Sequence, residues 1–214
     1  METGAALGVL AEAGFWRFGD ADRAKTLIEE IGAGSPLGRL IGSGCVACGR
    51  AYGVERVPAV KGQGMAAYDP RAIKGMGLTY ALSPMGADHT AGNAIVLSID
   101  HLDRDAQLEP VRDLHLKTAV LDSLGLCLFT GRVTLDQTEL VEEMCSALLG
   151  WTVSFPELLR MAQAWLLQER EFNHRAGFTA AQDRLPPFMY REKLSPNDSV
   201  FDVPEGDVER FYEF

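Results

Sequence analysis

The chain has 214 residues, 47% of them hydrophobic, and a formal net charge of −10. That length suits one large domain or two small ones around an ordinary core, and the acidity, with no basic stripe, excludes nucleic acid and anionic membrane surfaces as natural partners. No basic n-region opens the chain, no apolar run reaches transmembrane length, and four unevenly spaced cysteines exclude a disulfide scaffold, which together point to the cytoplasm.

In chain order the pattern is helical. Glu2 to Ala13 carries Leu7, Val9, Leu10 and Ala13 as an apolar set, with no cap before it, which suggests missing upstream chain. Asp20 is a good N-cap for a second helix that Gly32 and Gly34 end. Pro36 opens a third, running through Leu37, Ile41 and Cys48 to Gly53, and Val57 to Val60 is at most a short strand. Asp69-Pro70 reads as an N-cap followed by proline at the first helical position. Gly75 and Gly77 just behind it mean that the backbone approaches another helix or a ligand. Lys61, Arg71 and Lys74 gather three cations in this glycine-rich stretch, the pattern of either an anion site or a solvated basic loop.

The polar stretch from Asn93 to Gln107 is a loop with one apolar piece, Ile95 to Leu97, and Pro110 starts the helix that leads into Asp122. Thr134 or Asp136 caps the next helix, through Leu140, Val141, Met144 and Leu148. Ser154-Phe-Pro-Glu157 is a capping box for a long amphipathic helix through Trp165 and Phe172, and Asp207 to Phe214 begins a last helix. The fold class is all-α, in two helical lobes, 1–70 and 71–214.

Chemistry concentrates in few places. Cys45-Val-Ala-Cys48 has the spacing of a zinc half-site, but no second CxxC or HxxxH completes four ligands, and cysteines at i and i+3 of an amphipathic helix pack as small hydrophobes. Cys145, beside Met144 and Leu148, reads as core. His101 and His174 belong to surface loops, and Glu171-Phe-Asn-His174 has ExxH spacing on a helix already ending. His115 lies two turns before Asp122 on the same face. His89, after a Gly-Ala-Asp turn near the cationic stretch, is the histidine best placed to donate or accept a proton near neutral pH. Asp122-Ser123-Leu124-Gly125-Leu126-Cys127 reads two ways: as a helix ended by an αL glycine, or as a carboxylate and a thiol held on opposite sides of that stop, one for a polar ligand and one for iron.

These segments, in order, resemble the C-terminal part of the tungsten-containing aldehyde ferredoxin oxidoreductase family. Val60-Lys-Gly, Ala67-Tyr-Asp-Pro-Arg71 and Lys74-Gly-Met-Gly-Leu78 resemble its VKGxExPxYDPRxxKGMGL signature. Ser83 to His89 resembles its Gly-Ala-x-His segment, and Asp122 to Cys127 matches its second DxxGLC motif. Arg170-Glu-Phe-Asn173, Arg175, Gly177-Phe178, Asp183 and Leu185-Pro186 resemble RxFNxRxGFxxxDDxLP. The family oxidises aldehydes to carboxylic acids with oxygen from water and passes electrons through a [4Fe–4S] cluster to ferredoxin, its tungsten held by two pterins. The resemblance implies that Asp122 hydrogen-bonds a pterin of the tungstopterin, with the backbone at Gly125 and Leu126 against it. It also implies that Cys127 is the fourth thiolate of the cluster and that His89 stands near the metal as a proton donor or acceptor. The implied partners are the family's N-terminal pterin-binding domain, ferredoxin and a small aldehyde, with a homo-oligomer left open.

The departures are as plain. The family's CxxCxxxC run, first DxxGL motif and β-rich N-terminal domain are absent, Gly64 replaces the glutamate of VKGxE, and one cysteine cannot hold a cubane cluster. The expectation is therefore an inactive C-terminal fragment of an enzyme, binding neither cluster nor tungstopterin by itself. A stand-alone binding or assembly module of the same fold is the alternative, and a small zinc protein using Cys45 and Cys48 a weaker third.

Overall fold

Local chemistry sets most of the helix ends in the computed structural model, which describes residues 1–214, the side chain of Arg132 aside. Asp20 accepts the Arg23 amide at 2.9 Å and starts α2 (Ala21–Ala33), which Gly34 closes at φ 65°. Ser154 and Glu157 form the reciprocal capping box of α9 (Phe155–Arg175), with Pro156 in its first turn. At the end of α6 (Leu108–Ser123) the Gly125 amide returns to Asp122 O at 3.0 Å and the Leu126 amide to Leu121 O at 2.9 Å. With Gly125 at φ 69°, that pair of bonds is a complete Schellman stop.

Eleven α-helices and one two-stranded ribbon are the main elements of the described residues, so the all-α class holds. The first group is α1 (Glu2–Glu12), α2, α3 (Pro36–Gly42) and α4 (Cys45–Tyr52), around Leu7, Leu10, Leu27, Ile41, Cys45 and Cys48. The single helix expected from Pro36 to Gly53 is two, because Ser43 ends the first and Gly44 turns the chain at φ 94°. A distant carboxylate then begins the second: Glu2 accepts from the amides of Cys45 at 2.7 Å and Gly64 at 2.6 Å.

The ribbon pairs β1 (Ala59–Val60) with β2 (Gln63–Gly64) through Lys61 and Gly62, both at positive φ, as a two-residue type I′ hairpin requires. Asp69 does not cap a helix. It folds back on the Arg71 amide at 2.9 Å, and α5 (Lys74–Leu82) starts later, behind Ile73.

Helix α5 is buried along its whole length and is the centre of the second and largest core, with Val60, Leu108, Val111, Leu185, Met189, Phe201 and Phe211 around it. Its glycines serve packing. A Cβ on Gly77 would lie 2.2 Å from Phe201 Cε2, and one on Gly75 2.9 Å from Ala94. The three cations of this region are neither an anion site nor a solvated loop. Lys61 binds Asp183 at 2.7 Å, Arg71 binds Asp69 at 2.7 Å, and Lys74 binds Asp202, each cationic side chain being less than a tenth exposed. All three are used internally.

The third core joins α6, α8 (Thr138–Leu149) and α9 through Val120, Val141, Cys145, Phe155, Leu158 and Ala162. α6 starts at Leu108, two residues before the expected Pro110. Neither Thr134 nor Asp136 caps α8: both belong to α7 (Gly131–Asp136), and Gln137 precedes the next helix. Val141 and Cys145 face inward from α8, whereas Leu140, Met144 and Leu148 face out. Short helices α10 (Pro187–Arg191) and α11 (Glu205–Arg210) complete the chain, the last ending four residues before Phe214.

Candidate functional site

Helices α6 and α9 lie side by side, and the turn after α5 crosses over them. Between the three opens a cleft of about 510 Å³. Its walls are Asp88, His115, Asp122, Trp165, Glu169, Phe172 and Asn173, with Ser83 to Met85, Ala91, Ala119, Ser123, Leu166 and Gln168 completing the lining. Among the described residues, three carboxylates and no lysine or arginine face it.

The acid side chains feel one another. Asp88 is buried, its carboxylate held by the Thr90 amide at 2.9 Å and the Thr90 hydroxyl at 2.8 Å. Asp122 is held above its usual range, first by the partly desolvating walls and then by the charge of Asp88. Glu169 is raised in the same way, first by burial and then by the charge of Asp122. His115 is fully buried and donates to, or accepts from, Thr79 Oγ1 at 3.1 Å, and burial lowers it to about 4. It is thus hydrogen-bonded from its helix and also a wall of the cleft.

Of the five residues to which the resemblance gives a site role, Asp122 alone lines this cleft. Its carbonyl closes the helix and its side chain opens to the cavity. Gly125 and Leu126 form the stop, and Cys127 lies just past it as an exposed free thiol, opening a turn in which the Thr130 amide reaches Cys127 O at 2.8 Å. His89 stands beside the cleft, with Nδ1 buried, unpaired among the described residues and 3.9 Å from Asp88 Oδ1, and its ring 5.9 Å from that of Tyr68. The other thiols are buried, Cys45 pushed up to about 12 by burial and by Glu2, and Cys48 raised likewise. Among the described residues no group of three or more His, Cys, Asp or Glu is arranged to hold a metal ion, and no helix is long and apolar enough to cross a membrane. His174, expected in a surface turn, is in the last turn of α9 and exposed.

Sequence reasoning missed the α9 wall. Trp165, Glu169 and Asn173 recur every four residues, so they share one helix face, which alone reads as part of an amphipathic stripe.

Two measurements follow from this geometry. Ellman titration of the native chain is expected to count one reactive thiol, rising to four in denaturant, and Cys127→Ser should bring the native count to zero. Asp122→Asn is expected to stabilise the ligand-free chain, and more so at pH 7.5 than at pH 4.5. A carboxyl whose folded pKa is raised contributes stability that is full below its unfolded pKa, about 3.9 for aspartate, and that is lost as pH rises through the folded value. The asparagine lacks that loss. Urea midpoints of both proteins at the two pH values check it, and a pH-independent difference would remove the coupling.

Fold and cleft define a class: a helical module in which one helix ending presents a carboxylate to an acid-lined cleft and a thiol to solvent. The chain belongs to the aldehyde ferredoxin oxidoreductase family, whose model for domains 2 and 3 matches residues 4–214. It is 30% identical over 200 residues to the tungsten-containing aldehyde ferredoxin oxidoreductase of Pyrococcus furiosus, covering 87% of this chain and 32% of that protein. Against the same-named protein of Pyrococcus horikoshii it is 29% identical over 194 residues, covering 85% and 31%. The chain thus spans about a third of the length of these relatives.

The residues present suit one of the family's two groups. A pterin offers ring and amine N–H donors, and the cleft offers carboxylate acceptors between aromatic walls, so the donor set fits. A [4Fe–4S] cluster does not fit these residues, which provide one exposed thiol at the site while Cys45, Cys48 and Cys145 are buried in other cores.

Proposed function

We propose that this chain contributes the C-terminal share of an aldehyde ferredoxin oxidoreductase site, in an enzyme that converts an aldehyde and water to a carboxylic acid. The observation that carries the reading is Asp122: in the family's DxxGLC segment it faces a carboxylate-rich cleft, while Cys127 is exposed on the other side of the same stop. Asp122 would hold pterin N–H groups, and the backbone at Gly125 and Leu126 would lie against the same ligand. When bound, the tungsten–pterin group supplies the redox centre that takes up two electrons as water oxygen reaches the aldehyde carbon. The acid product also leaves two protons, and His89, whose Nδ1 has no partner among the described residues, is assigned to accept one. Cys127 would offer one thiolate toward the family's cluster, for which these residues supply no second exposed thiol. Ferredoxin would be the electron acceptor of the longer enzyme, in the cytoplasm. By itself the chain is a metal-free, inactive scaffold.

The test starts with the coding sequence upstream of Met1. An in-frame CxxCxxxC and a DxxGL motif are expected there. The corresponding longer protein, isolated without oxygen, is expected to contain tungsten or molybdenum together with iron and to oxidise aldehydes with a viologen acceptor. A metal-free, inactive longer protein would defeat the reading. A stop codon and ribosome-binding site directly upstream would instead support the stand-alone module.

A further inference from the structure

The last carbonyls of a helix have no partners within it, and α5 ends beneath the turn that carries Asp88 and His89. Side chains from three remote stretches take up the carbonyls there. Lys61 Nζ donates to Ala81 O at 2.5 Å, Tyr212 Oη donates to Leu82 O, and Asn173 Nδ2 donates to Pro84 O at 2.8 Å. Gly86, at φ 107°, seats the turn on the ribbon, since a Cβ there would lie 2.4 Å from Val60 O. Lys61 and Tyr212 bind the last carbonyls of α5 and do not line the cleft. Asn173 alone among the three donors lines the cleft, one helical turn beyond Glu169 and beside Phe172.

We propose that Asn173 is a positioning residue: its amide fixes the height of the Ser83–His89 turn over the cleft and so sets where Asp88 and His89 stand relative to Asp122. The turn's own bonds are local, the Gly86 amide to Ser83 O at 3.1 Å and the Asp88 amide to Gly86 O at 2.6 Å, so they shape it without placing it against α9. The α6–α9 contact places Asp122 but not the turn. Among the described residues, the Asn173 amide is the one hydrogen bond that ties the turn to α9. Its significance for catalysis rests on the cleft being the working site.

The test uses the ligand-free 214-residue chain, so its failure is separate from any failure to find a cofactor. Asn173→Ala sits near the end of a long helix and adds a good helix former. It is expected to raise amide exchange across 83–89 about tenfold, the factor one lost hydrogen bond carries, and to move the His89 ring resonance. Exchange in the bodies of α6 and α9 should stay unchanged. Asn173→Gln, which keeps the donor, should recover most of the turn's protection and the resonance. Wild-type protection at 83–89 in the alanine variant would overturn the proposal, as would a loss spread evenly over α6 and α9, which marks a general structural role.

Discussion

Phe201→Ala is expected to lower stability by about 3–5 kcal/mol, the cost of emptying a buried aromatic site. The ring is 2% exposed, stands edge-on to Tyr190 at 5.5 Å between centroids, and fills the notch left by Gly77 on α5. The reciprocal change is the sharper test. Gly77→Ala brings a helix gain of about 1 kcal/mol. Against it stands a methyl placed 2.2 Å from Cε2 and 2.5 Å from Cδ2 of a ring with Tyr190 packed against it. Overpacking of this kind costs about 1–3 kcal/mol, sometimes more, and a 2.2 Å approach belongs at the upper end, so the clash wins and the variant loses about 1–2 kcal/mol net. The double variant Gly77→Ala/Phe201→Ala should be more stable than the sum of its parts by about 1 kcal/mol or more, because the added methyl then enters the cavity. Urea unfolding of the four proteins measures this, and strict additivity would mean that the two residues do not share the notch.

What sequence reveals of this fold is what short-range chemistry decides. Asp20, Ser154 with Glu157, and Gly125 act within a few residues of themselves, so their caps are readable in a short window of the chain. The split between α3 and α4 is not, because the carboxylate that receives Cys45 comes from Glu2, 43 residues earlier. The three cations mislead for the same reason: Lys74 finds Asp202 across 128 residues, and a local window contains only the positive half of the pair. At the site, Asp122 is legible through its motif. Glu169 and Trp165 are not, since a helix face lining a cleft has the same period as one lining a core, and Asn173 stands in a family motif that by itself says nothing of a cleft. The cleft lies where residues 115–123 of α6 face residues 165–173 of α9, and only the packing of the two reveals that.

Asp183→Asn is the second change with a large expected cost, about 3 kcal/mol, or roughly 6–12 °C in midpoint for a chain of this size. Lys61 is 4% exposed and its charge is balanced by Asp183 at 2.7 Å, which Arg170 also reaches at 3.3 Å while stacking on Tyr212. Burial lowers Lys61 even with that partner in place, so without it the ammonium is left uncompensated inside the protein. The sign of the pH response then separates charge from packing. A lysine whose folded pKa is depressed regains stability as pH rises above the folded value, because the unfolded chain binds the proton more tightly. The deficit of Asp183→Asn should therefore shrink between pH 7 and pH 10, whereas a packing defect would not change. Lys61→Met/Asp183→Asn, which removes both charges and keeps most of the volume, should recover much of the loss, as buried pairs replaced by apolar groups do. If it recovers nothing, the lost Lys61 bond to Ala81 O offsets the relief of the buried charge. In that case hydrogen exchange at the end of α5 will rise in the double variant and not in the single one, which keeps Lys61.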